Sequence, residues 1–320
     1  MSTMTRRDHL ALLATGSLAT GSLAAGFALG SAGPAAAQAV RWSGGTGRPR
    51  IAVPANATDC HHHIYDARFP PAPAATLRPP DASVEDYRAL QRRLGLTRNV
   101  VVQPSTYGTD NRLLVESLKA FGPTARGIAM LDAGVTPEEL RRLDEAGIRG
   151  VRFGTRLPGG APITDLEPVA RKIADLGWHI QLVSEGERIV ELKEVLERLP
   201  VPVVFDHMGH LPEPAGPDHP GFRVIADLIA KSGAWVKLTG AYILSKSGPP
   251  LYADRGRLAR AYVALAPERL VWGSDWPHPT APADAKPDDA GLLDLLADWA
   301  PDPAVQAKIL VSNPARLYGF

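Results

Sequence analysis

Eight short apolar runs, at 57–65, 99–103, 127–131, 150–155, 179–184, 201–206, 235–239 and 270–275, alternate with amphipathic stretches along the chain. Most are near-continuous in Val, Ile and Leu, the pattern of parallel strands that bury both faces. Amphipathic helices between parallel strands imply right-handed βαβ units. Eight such units predict a closed α/β barrel, a (β/α)8 TIM barrel in a single domain, rather than an open doubly wound sheet. Helix starts are readable as well. Thr136-Pro137-Glu138-Glu139 predicts a capping box with proline at the first helical position, opening a helix over 138–146. Thr164-Asp165-Leu166-Glu167 predicts a second box for a helix ending near Gly177. Ile189, Leu192, Leu196 and Leu199 recur at three- and four-residue steps, giving one apolar face toward a sheet.

The chain has 320 residues and is 45% hydrophobic, enough for a sizeable core. Its 35 basic and 34 acidic residues leave a net charge of +1, so no basic field points to nucleic acid. One cysteine, Cys60, excludes an internal disulfide framework and a thiolate metal cage. The first 39 residues read as an export signal. Arg6-Arg7 resembles a twin-arginine signature, a charge-free run follows, and Ala37-Gln38-Ala39 offers a cleavage site, with Ala35-Ala36-Ala37 as a neighbouring alternative. Interior glycines and hydroxyl residues make that run a poor membrane span, so the expectation is cleavage without a lasting anchor. Export of the folded chain to the periplasm or medium follows, with the twin-arginine machinery as a transient partner. Residues 40–56 read as a flexible lead-in and 57–320 as the barrel. No heptad pattern points to an oligomer.

In such barrels, catalytic side chains sit at the C-terminal ends of the strands, where the loops meet. Asp59-Cys60-His61-His62-His63 lies on the first strand, and period-two alternation puts Asp59, His61 and His63 on one face with Cys60 and His62 on the other. His207 directly follows the sixth strand's apolar run. His210 lies further into that loop, open to a solvated, packing or site role. Asp275 stands where Leu270-Val271-Trp272 gives way to a loop, and a carboxylate there must be paired or used. His61, His63, His207 and Asp275 are therefore the candidate catalytic residues. Arg152 and Arg156, at the end of the fourth strand, suit bidentate contact with a carboxylate; an ion pair with Asp165 or Glu185 is the alternative for Arg152.

These motifs resemble the amidohydrolase superfamily, and more narrowly its branch of 2-pyrone-4,6-dicarboxylate lactonase and sugar-lactone enzymes. The likeness rests on Asp59-x-His61-x-His63, Gln103-Pro104-Ser105-x-Tyr107-Gly108-x-Asp110-Asn111, Gly150-Val151-Arg152-Phe153, Asp206-His207-Met208-Gly209, Lys237-Leu238-x-Gly240-Ala241-Tyr242 and Gly273-Ser274-Asp275-Trp276-Pro277-His278. It runs from about residue 57 to Asn313-Pro314-Ala315-Arg316-Leu317-Tyr318 at the end. The resemblance implies a hydrolase acting on a small-molecule lactone, with Asp275 as general base and His61, His63 and His207 donating to the substrate carbonyl. It implies that Arg152 holds a substrate carboxylate, with Ser105, Tyr107, Gln181 and Arg156 as further substrate contacts.

The fourth strand has no lysine to carboxylate, and the fifth offers His179 at the closed bottom and Gln181, a poor zinc ligand. A dinuclear metal site is therefore not expected. The favoured reading uses no metal; one zinc ion on His61, His63 and Asp275 is the alternative, as in a mononuclear hydrolase or nonoxidative decarboxylase. Lactone isomerisation is a third reading. Lys237 is expected to pair with Asp275 or Asp206. Ile243 stands where relatives commonly carry arginine, which argues against a dicarboxylate substrate.

Overall fold

The computed structural model describes residues 39–320; the expected export signal lies outside the described residues. Eight parallel strands follow one another in chain order: β1 Thr58–His62, β2 Arg98–Val102, β3 Ala125–Ala129, β4 Ile148–Gly154, β5 His179–Val183, β6 Val203–Phe205, β7 Trp235–Leu238 and β8 Leu270–Trp272. Each pairs with the next. Beyond the last ladder, Asp275 N–H donates to His61 O and His63 N–H to Trp276 O, both at 2.8 Å, and these bonds bring β8 back to β1. The expected barrel is present, and its last seam runs through the residues expected to be catalytic.

Gly273 makes that seam close. A Cβ there would lie 2.6 Å from His61 Cβ and 2.8 Å from its backbone nitrogen, so any side chain would push β8 off β1. Strand alternation splits the apolar residues into two clusters. Val101, Leu270 and Trp272 face the helices, whereas Cys60, Val100, Val102, Val204 and Val271 fill the barrel interior with Tyr318. Tyr318 comes from the terminal helix Asn313–Tyr318, anchored by Asn313 donating to Leu270 O at 2.7 Å and Pro267 O at 2.9 Å. His179 lies beside Tyr318, with ring centroids 5.5 Å apart, at the bottom as expected.

The helix Pro137–Glu145 starts at Thr136, whose hydroxyl accepts from Glu139 N–H. Glu139 does not return the bond, because its carboxylate is taken by Arg142. The second expected capping box is absent. A 3-10 turn, Ile163–Asp165, leads straight into Leu166–Ile173, and Asp165 turns away to accept from Ala133 N–H at 2.9 Å. Ile189, Leu192, Leu196 and Leu199 are all buried, but the expected single helix is two short ones, Gly186–Glu191 and Lys193–Glu197, with Leu192 at the break and Leu199 beyond the second.

Candidate active site

On β1 the alternation slips. The ladder to β2 loses register between Asp59 and His62. Asp59 consequently faces outward, where it accepts from Tyr87 and Ser274 hydroxyls and from the backbone N–H groups of His61 and Ser274. His62 also faces out, stacked on Tyr87 at 3.5 Å. Cys60 points inward instead, which corrects the expected faces of both Asp59 and Cys60. The bulge has a cause: one carboxylate gathers four donors from β1, the loop after β8 and a surrounding helix. Bulges of this kind re-aim neighbouring side chains, and this one delivers His61 and His63 to the mouth.

His61, His63 and Asp275 converge there. Asp275 Oδ1 lies 3.5 Å from His61 Nε2 and 3.5 Å from His63 Nε2. The far nitrogen of His63 fixes its proton. His63 Nδ1 is 2.7 Å from Val102 O, an atom that can only accept, so Nδ1 carries hydrogen. His61 Nδ1 is faced by a donor and an acceptor together, the Lys237 ammonium at 3.4 Å and Asp206 Oδ1 at 3.2 Å. In its neutral ring His63 Nε2 is then a lone-pair atom facing the Asp275 carboxylate. The two repel unless positive charge lies between them, and a proton on the imidazole or a divalent cation would each supply it. The ligand atoms of His61, His63 and Asp275 lie within 4.8 Å of one another, and each imidazole is backed by an acceptor, so these residues fit a mononuclear metal site. With its Nδ1 hydrogen given to Val102 O, His63 can donate from Nε2 only when charged.

Asp275 is ionised. Burial pushes its carboxyl up, but His207, His63 and His61 together hold it well below the ordinary carboxylate range. Its Oδ2 accepts from the Tyr242 hydroxyl at 2.7 Å, leaving Oδ1 for the site. Tyr242 and Asp206 belong to motifs that mark the family, yet neither stood out as a site residue. A tyrosine two residues past a strand-ending glycine was the available signal.

His207 opens a left-handed turn after β6, with φ of 50° at His207, 57° at Met208, 74° at Gly209 and 45° at His210. Side chains in this region cost energy, so such turns persist where the surroundings enforce them. Gly240, at φ +67°, is one enforcer: a Cβ there would sit 2.6 Å from His207 Nδ1. Burial holds the His207 ring below the ordinary histidine range.

Beneath the mouth lies a buried ionic layer. Asp206 accepts from Arg152 Nε at 3.1 Å and Gln181 Nε2 at 3.0 Å, while Lys237 donates to Gln181 Oε1 at 2.6 Å and Cys60 O at 2.8 Å. Lys237 is thus on the Asp206 side, 3.8 Å from Oδ1. Burial opposes the Asp206 charge, but His61, Arg152 and Lys237 outweigh it and hold the carboxyl well below its ordinary range. Burial draws the Lys237 ammonium down to about 8. Gln181 is therefore taken up between Asp206 and Lys237 and does not reach substrate space, contrary to expectation. Arg152 pairs with Asp206 rather than Asp165 or Glu185, and Arg156 takes Glu185.

Above the layer opens a cleft. His63, Arg152, Arg156, His207, His210, Asp275 and Ser105 reach it, against an apolar wall that includes Leu77, Met130, Leu157 and Ile243. Tyr107 does not line this cleft. Its hydroxyl binds the backbone of Asp66, accepting from N–H at 2.8 Å and donating to O at 3.2 Å, so it secures the loop after β1.

A family model described as amidohydrolase matches residues 58–320. The chain is 38% identical to a 2-pyrone-4,6-dicarboxylate hydrolase of Comamonas testosteroni, over 87% of this chain and 94% of that protein. It is 38% identical to a 4-sulfomuconolactone hydrolase of Rhizobium radiobacter, over 84% and 92%. A D-galactarolactone isomerase of Agrobacterium fabrum is 32% identical, over 84% and 93%. Among solved structures, an apo protein of Agrobacterium tumefaciens superposes with a TM-score of 0.81 at 31% identity, covering 88% of this chain and 99% of that one. A probable 2-pyrone-4,6-dicarboxylic acid hydrolase of Acinetobacter baumannii, with citric acid bound, gives 0.71 at 25% identity, over 83% and 100%.

Proposed function

The chain belongs to the amidohydrolase family, and we propose that it is a hydrolase that opens a small carboxylated lactone above His61, His63, His207 and Asp275. One observation carries the reading: Asp275 is buried, with Oδ2 held by Tyr242 and Oδ1 turned toward the imidazoles at the cleft. An oriented carboxylate with one free oxygen is suited to take a proton from water. Named relatives that hydrolyse lactones support the substrate class.

In this scheme the lactone carbonyl lies against His207, a ring able to donate from the nitrogen away from Gly240. Water attacks the acyl carbon as Asp275 Oδ1 takes its proton. The carbon–ring oxygen bond then breaks, and the same proton passes to the departing alkoxide, leaving a hydroxyl and a carboxylic acid that gives its proton to solvent. Positive charge between His63 Nε2 and Asp275 would stabilise the developing oxyanion. Ser105, Arg152 and Arg156 would receive the substrate's carboxylate, a role in keeping with the citrate held by a structural relative.

The lone-pair geometry favours a second reading of that positive charge. His61, His63 and Asp275 would hold one zinc ion, which when bound supplies Lewis-acid polarisation of the carbonyl. Elemental analysis of protein prepared with zinc available separates the two: near-zero metal supports the imidazolium, and one equivalent supports zinc. The lactonase reading itself is tested on a panel of carboxylated lactones with Asp275→Asn as control. The wild type should open at least one, and the variant should lose about 10²- to 10⁴-fold in kcat while staying folded; equal rates would refute it. We further propose export by the twin-arginine route with cleavage after Ala39, to be checked by intact mass of the periplasmic protein.

A further inference from the structure

His210 closes the left-handed turn on the cleft wall, and the hydrolytic scheme leaves it without a task. Its ring is 2% exposed, with its centroid 4.8 Å from that of His207. Arg156 Nη1 lies 3.2 Å from its Nδ1. A guanidinium only donates, so Nδ1 is the lone-pair nitrogen and Nε2 carries the hydrogen. Burial, helped by the neighbouring His207 and Arg156, holds the ring well below the ordinary histidine range and keeps it neutral.

That Nε2–H is buried and has no acceptor among the described residues. Buried donors are nearly always paired. The ring that carries it lines the cleft, at the end of four consecutive positive-φ residues. Arg156 also binds Glu185 at 2.6 Å, so Glu185, Arg156 and His210 form a chain that ends in the free N–H. The guanidinium charge on Nδ1 polarises that N–H, which suits an anionic oxygen more than a neutral one.

We propose that His210 is a further substrate-binding residue whose Nε2–H donates to a carboxylate oxygen of the bound lactone, with Arg156 as the positioning residue that fixes its tautomer. The identity of the ligand rests on the lactonase reading; the donor does not. His210→Leu removes the N–H, and His210→Gln keeps one near the same place. Calorimetric titration with citrate should show binding about 10-fold weaker in the leucine variant, with most of it restored in the glutamine variant. In kinetics, the leucine variant should raise KM for a carboxylated lactone by about the same factor and change kcat less than about threefold. The methyl ester of that lactone should be handled equally by variant and wild type.

Equal losses on acid and ester overturn the proposal, as does citrate affinity that is the same in wild type and His210→Leu or absent from both. Nitrogen-15 spectra of the wild-type ring give an independent readout: hydrogen on Nδ1 overturns it, and hydrogen on Nε2 is expected. Should no lactone be opened by the wild type, the lactonase reading fails, while citrate and the ring tautomer still decide the case of His210.

Discussion

Gly240→Ala isolates the geometry on which the site depends. Gly240 has a φ of +67°, and a Cβ there would lie 2.6 Å from both His207 Nδ1 and Ile243 Cδ1. Nonbonded heavy atoms settle at about 3.5 Å, so the imidazole must retreat by about 1 Å. A misplacement of that size at a reacting group costs about 10²-fold in rate. The backbone strain alone is about 1–2 kcal/mol, which lowers Tm by about 2–4 °C per kcal/mol in a large domain. Gly95 supplies the control. It has a similar φ of +76°, but its nearest neighbour to a new Cβ is Val53 Cβ at 3.8 Å. Gly95→Ala should therefore show the backbone cost with unchanged lactone turnover. Gly240→Ala should add a loss of about 10²-fold in kcat/KM. The assay is initial-rate lactone opening alongside thermal denaturation of both variants. Activity of Gly240→Ala within about threefold of Gly95→Ala would refute the claim that Gly240 sets the His207 ring.

Two further outcomes follow from the buried groups. Tyr242→Phe strips Asp275 Oδ2 of its donor; stability should fall by about 1–3 kcal/mol and kcat more than KM should suffer, and unchanged kcat would contradict a positioning role. Burial holds Lys237 at about 8 in the folded chain against an ordinary 10.5, so the unfolded chain keeps that proton to higher pH. Wild-type stability should therefore rise relative to Lys237→Met between pH 8 and 10.5, by roughly 3 kcal/mol at most; parallel stability curves from urea unfolding would contradict it.

The barrel was legible because both of its signals are local. Apolar runs mark doubly buried strands, and polar residues at their ends stand out against them. His207 and Asp275 followed from that contrast. Less local features escaped. Whether Asp59 or Cys60 faces inward depends on three donors brought from other elements, and alternation along β1 cannot show a bulge. Gln181 has the right face to reach substrate, but its depth is set by Asp206 and Lys237 on neighbouring strands. Tyr107 lies in a motif beside Ser105, yet the loop after β1 claims its hydroxyl. The left-handed turn from His207 to His210 contains a single glycine, so nothing in its composition announced it. The proton on His63 depends on Val102 O, an acceptor that only the folded barrel brings near.

Hydrolysis through water is the central claim, and oxygen-18 tests it most directly. The protein would be incubated with a carboxylated lactone in ¹⁸O-water and the product examined by mass spectrometry. A ring-opened acid carrying one ¹⁸O in its new carboxylate is the expected result, abolished in Asp275→Asn. An unlabelled product of the same mass as the lactone would contradict the account and identify an isomerase.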